Sequence, residues 1–161
     1  MSIQEAQRET VRCSAAALGS VDLGERCGLL GLPAPREGAL RFRALGQNLV
    51  LSAPRFDPLQ ADTGQPARLG DHIVVLHYLQ CGCRIAPTGE LIIFRDVPGG
   101  PCCWPASRAQ SVGRLEGFLI YYRGDEEFGP SADVLFDVCI KRVYPPEDVA
   151  YFARRICLGL L

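Results

Sequence analysis

The sequence predicts an α+β fold: one domain over residues 1–161, with a mainly antiparallel sheet of about five strands, a central apolar helix, and packing helices at the N- and C-terminal ends. Three observations carry this. Apolar residues alternate with polar ones on both sides of Gly46-Gln47, as in a hairpin. Residues 146–160 place Val149, Phe152, Ala153, Ile156, Cys157 and Leu160 on one helical stripe. Strands and helices do not alternate strictly, so a doubly wound parallel sheet is not expected.

Element by element, Ala6, Val11, Ala15 and Leu18 give residues 4–18 a helical spacing that Gly19 can end, and a short second helix is expected at 23–30. Residues 39–44 and 48–52 form the hairpin strands. The stretch from Pro54 to Gly70, rich in proline, glycine and polar residues, reads as a surface loop. Asp71 is placed to cap a helix running to Gln80, with Gly82 as its stop, and Ile73, Val74, Val75, Leu76 and Leu79 make that helix apolar on most sides. Leu91-Ile92-Ile93-Phe94 reads as a buried strand ending near Asp96, before a Pro98-Gly99-Gly100-Pro101 turn. A short helix is expected between Trp104 and Leu115. Strands at 117–123 and 133–140 then pair as neighbours across an acidic loop. Pro146, with Glu147 and Asp148 behind it, starts the closing helix.

Composition narrows the function. With 48% hydrophobic and 22% charged residues the chain has the profile of a soluble globular protein. Seventeen basic against eighteen acidic residues provide no electrostatic footprint for nucleic acid. No stretch is apolar enough for a bilayer, and the polar start lacks the regions of a signal peptide, so no membrane contact and a cytoplasmic location are expected. In that reducing setting the eight cysteines are expected as thiols or metal ligands.

The chemistry-bearing side chains crowd between residues 72 and 105. Cys-x-x-Cys is missing, but Cys81, Cys83, Cys102 and Cys103 form two close pairs, and His77 stands one helical turn before Cys81. Together they form a candidate site for zinc or an iron–sulfur cluster, against the plainer reading of cysteine as a small buried residue. Cys13, Cys27, Cys139 and Cys157 are read as structural. His72 lies about 140° around the helix from His77, so the two cannot share an ion as an i, i+4 pair does. Glu90, Asp96, Asp125, Glu126 and Glu127 could converge on a cation or act as acid and base, although a solvated turn explains the last three as well. Asp137, between Phe136 and Val138 on a strand, must either face water or be paired. Gly99 and Gly100 allow close approach of a ligand, and Trp104 can stack on a flat cofactor. The glycine patterns of nucleotide-phosphate loops and the Gly-x-Ser-x-Gly nucleophile elbow are not in the sequence.

His77-Tyr78-Leu79, Pro87-Thr88-Gly89-Glu90, Phe94-Arg95-Asp96-Val97-Pro98-Gly99-Gly100, Trp104-Pro105-Ala106, Gly124-Asp125-Glu126-Glu127-Phe128, Val134-Leu135-Phe136-Asp137 and Pro146-Glu147-Asp148-Val149-Ala150 follow one another in order. In this they resemble an uncharacterised prokaryotic domain-of-unknown-function family found mainly in anaerobic bacteria and archaea. Its members sometimes follow iron–sulfur cluster modules of the kind seen in corrinoid proteins. The resemblance implies anaerobic redox or one-carbon metabolism, with an iron–sulfur or corrinoid protein as partner, and assigns no catalytic residue. Two departures stand out: the short Ala106–Gly117 segment, and cysteines beyond the family pattern. The expected function is thus a non-enzymatic cofactor-binding or accessory module contacting its ligand through His77, Gly99, Gly100 and Trp104. A cysteine-held metal or cluster and a metal-assisted enzyme built on the acidic residues are the alternatives.

Overall fold

The computed structural model describes residues 2–81, 86–93, 108–110, 115–122, 127, 129 and 131–158. Helix α1 (Ile3–Leu18) opens with a capping box, in which the Ser2 hydroxyl accepts from the Glu5 amide and the Glu5 carboxylate accepts from the Ser2 amide. Helix α2 (Leu23–Leu30) is capped by the Asp22 carboxylate, which accepts from the Glu25 amide at 2.9 Å.

Strands β1 (Ala39–Ala44) and β2 (Gln47–Ser52) form the expected hairpin. Its two-residue turn is Leu45-Gly46, both at positive φ (51° and 77°), so the turn lies one residue earlier than the sequence suggested. Leu40, Phe42, Ala44, Leu49 and Leu51 point inward. The expected loop after Pro54 holds a further strand, β3 (Asp57–Gln60), antiparallel to β2. Pro58 hides it from a sequence reading, yet proline is admissible here because β3 is the edge of the β1-β2-β3 sheet.

Helix α3 (Leu69–Gln80) is the apolar centre and touches α1, α2 and the helix over Pro146–Leu158. Its N-cap is Arg68, which makes no side-chain capping bond. Asp71 is therefore not the cap. It sits in the first turn with its carboxylate turned into the protein.

The second sheet is built from β4 (Leu91–Ile93), β5 (Arg108–Gln110), β6 (Glu116–Tyr122) and β7 (Ser131–Asp137). Its order is β4-β7-β6-β5, antiparallel throughout. The α+β class thus holds with seven strands among the described residues, divided between two sheets instead of about five in one. Two local expectations fail. Strand β4 is an edge, with Leu91 46% exposed, and is not buried. Residues 108–110 are strand where a helix was expected, since pairing with β6 outweighs a weak local preference. Strand β7 stops at Asp137, which caps a 3-10 helix over Val138–Arg142.

Helix α4 (Pro146–Leu158) closes the core through Val149, Phe152, Ala153 and Ile156. Phe152 packs against Phe136 and Tyr144 with ring centroids 5.8 and 5.9 Å away. Gly117 lets α4 approach β6: a β-carbon there would lie 2.5 Å from Ile156 Cδ1 and 3.0 Å from Phe136 Cε1. Gly117→Ala should therefore cost about 1–3 kcal/mol in urea unfolding. Adding Ile156→Val, which removes that Cδ1, should return part of the loss, and strict additivity of the two changes would refute the packing argument. Among the described residues no helix is long and apolar enough to cross a membrane.

Candidate functional site

Helices α3 and α4 meet through polar side chains at two places. At the end of α3, His77 Nδ1 makes a short contact with the Asp148 carboxylate in the first turn of α4. The helix dipole favours the acidic side of this contact, because an aspartate in the first turn of a helix faces a positive partial charge. The His77 side chain is 21% exposed and that of Asp148 only 9%. With Nδ1 committed to the carboxylate, Nε2 is the ring nitrogen left for a ligand, in a fixed orientation.

The surroundings are apolar with satisfied phenols. Tyr144 donates to the Val74 carbonyl at 3.2 Å, and Tyr78 to the Leu30 carbonyl at 2.9 Å. Burial above all, then the neighbouring Tyr78, Asp148 and Cys81, pushes the Tyr144 hydroxyl well above its ordinary value and keeps it neutral. Cys81 is buried at the end of α3, its amide donating to the carbonyls of His77 and Tyr78.

One turn of α3 from its start lies the second polar cluster. Asp71 is fully buried and accepts from Tyr151 Oη (2.8 Å), Arg155 Nε (3.0 Å) and Gln47 Nε2 (3.0 Å), joining α3, α4 and β2. Asp148, Tyr151 and Arg155 share one face of α4 at helical spacing, so that face reads both ends of α3. Burial, then the bond to Asp71, raises the Tyr151 hydroxyl to about 12.

Asp137 is the third organised carboxylate. It accepts from the amides of Thr88 (2.7 Å), Gly89 (2.8 Å) and Cys139 (2.9 Å) and from the Thr88 hydroxyl (3.1 Å). Gly89, at φ 78°, supplies the left-handed residue this clamp requires. Burial works to raise the Asp137 pKa, but the Cys139, Gly89 and Thr88 donors outweigh it and leave the group below its ordinary value. Cys139 is pushed to about 12 by burial and by Asp137, so it is a protonated structural thiol.

Of the residues singled out from sequence, His77 has a partner and a partly open face. Glu90 and Glu127 are exposed. Asp96, Gly99, Gly100, Trp104, Asp125, Glu126, Cys83, Cys102 and Cys103 lie outside the described residues. Among the described residues no group of three or more histidine, cysteine or acidic side chains is arranged to hold a metal; of the candidate metal ligands, His77 and Cys81 are among the residues described. His72 is buried, with Nε2 2.9 Å from the Phe56 carbonyl, and burial lowers its pKa. Cys27 and Cys139 are buried as expected, whereas Cys13 is exposed. Asp148, Asp71, Tyr151 and Arg155 escape a sequence reading of the site. Their only local signal is an acidic first turn and helical spacing, which serve equally well for a solvated helix.

Fold and site together define a small α+β domain in which an apolar helix, α3, is tied to the last helix by two histidine or arginine to aspartate contacts. The family model described as "Domain of unknown function (DUF3786)" matches residues 22–118 and 114–158, and the chain belongs to this family. Helix α1 precedes the matched residues. No curated protein and no solved structure matches the chain.

Proposed function

We propose that this domain is a non-enzymatic, cofactor-binding accessory module of anaerobic redox or one-carbon metabolism, with His77 as its contact group. Gly99, Gly100 and Trp104 complete the surface in this reading, and an iron–sulfur or corrinoid protein is the partner. The observation that supports it is the His77–Asp148 pair. A carboxylate on Nδ1 fixes the tautomer of an imidazole and strengthens Nε2 as a donor to a metal-bearing or hydrogen-bonding ligand. Among the described acidic residues, Glu90 and Glu127 are exposed and Asp137 is engaged in its own loop.

The chain contains two histidines, so nitrogen NMR resolves each ring separately. Titration with a corrinoid, a flavin, zinc and ferrous iron under anaerobic conditions should shift His77 Nε2 for at least one ligand and leave His72 in place. His77→Gln should abolish that binding, and Asp148→Asn should weaken it about 10–100-fold. A His77 ring silent to the whole panel, or undiminished binding by His77→Gln, would overturn the reading.

A further inference from the structure

Between α1 and the turn joining β2 to β3 lies an open cleft of about 410 Å³, separate from the His77 site. Its apolar lining comes from Val11 and Ala15, one helical turn apart and half-buried, and from exposed Pro54. Arg8 and Arg12 stand on the helical wall and Arg55 on the turn. The turn is firmly placed. Phe56 adopts a left-handed conformation (φ 54°), buries its ring, and accepts at its carbonyl from buried His72. Arg55 is thereby held at the cleft while its own side chain stays exposed.

Three arginines and one aspartate line the cleft. Arg12 is engaged by Glu9 through bonds of 2.9 and 2.5 Å. Arg8 makes no side-chain hydrogen bond among the described residues and only a through-space contact with Glu5, and Arg55 has no side-chain partner among them. Asp57 is the acidic residue on the lining. We propose that this cleft docks an acidic segment of a partner protein, with carboxylates on Arg8 and Arg55 and an apolar side chain over Val11 and Ala15. Charge complementarity selects the acidic chain. The open shape and exposed rim suit an extended peptide better than a small anion, whose sites are concave and enclosing.

A fluorescein-labelled peptide of alternating glutamate and leucine, followed by anisotropy with the full chain, tests this. Wild type should bind it more tightly than the matching lysine–leucine peptide, and less tightly as salt rises from about 50 to 300 mM. Arg8→Ala and Arg55→Ala should each weaken binding about fivefold, the upper range for an exposed ion pair, and Arg8→Glu with Arg55→Glu should remove it. These side chains are exposed, so folding is spared; His77→Gln should bind the peptide normally, which separates this result from the His77 reading. Equal binding by the double charge reversal, or no preference for glutamate over lysine, overturns the proposal. Full displacement by millimolar inorganic phosphate assigns the cleft to small anions instead. Self-association removed by the same double reversal assigns it to a second copy of the chain.

Discussion

Replacing Asp71 with alanine should lower the free energy of unfolding by about 3–5 kcal/mol, the range for breaking a buried ion pair on one side only. Its carboxylate is the acceptor for Tyr151, Arg155 and Gln47. Removing it strands a guanidinium whose side chain is only 14% exposed. Gln47 would be doubly affected, because its Oε1 is already buried without a hydrogen-bond partner among the described residues. Gly70 tightens the constraint: a β-carbon there would lie 2.3 Å from the Tyr151 ring, so the phenol cannot retreat toward α3. The test is urea unfolding of Asp71→Ala beside a triple variant, Asp71→Leu, Tyr151→Phe, Arg155→Leu. The triple variant should recover at least half of the loss, since no charge is left unpaired. A loss below about 1 kcal/mol for Asp71→Ala would show that water reaches Arg155 and that the cluster is not sealed.

Asp137→Asn should cost about 2–3 kcal/mol at neutral pH, because one charged acceptor serving four donors becomes a neutral amide that repels some of them. The pH dependence has a defined sign. The folded pKa lies below the ordinary value of 3.8, so the stabilisation is complete above that value and is lost as the pH falls through the folded pKa. The gap between wild type and Asp137→Asn should therefore be constant from about pH 5 to 7 and narrow progressively below about pH 4. A gap that stays unchanged in acid would mean that the Asn variant is destabilised through packing and not through charge.

What can be read in advance follows the range of the interactions involved. The helices α1, α2, α3 and α4, the β1-β2 hairpin and the β6-β7 pair are legible because caps, turns and apolar periods are local. Strand β3 is not, since Pro58 disqualifies a strand locally while an edge position admits it. Residues 108–110 carry no strand signal of their own and gain their state from β6. The site divides in the same way. His77 stands out as a polar residue in an apolar helix, but its partner Asp148 is 71 positions away and reads locally as an ordinary first-turn acid. Asp71 announces the right helix but misleads about its own role. An aspartate near a helix start fits a cap, and only the packed α4 face reveals that it points inward. For Asp137 the sequence poses the right alternative, water or a partner, and the Thr88-Gly89 loop decides for the partner.

Each sheet is assembled from one uninterrupted stretch of chain, 39–60 for the first and 91–137 for the second. Neither sheet takes a strand from beyond residue 137, so the pairing of both is complete without α4. Helix α3 is different, because the partners of Asp71 and His77 at 148, 151 and 155 all lie C-terminal to both sheets. Without α4, Asp71 would keep only Gln47, and the apolar side of α3 that meets α4 would stand uncovered. The sheets are thus closed by local stretches of chain, whereas the central helix is satisfied only by contacts from far along it.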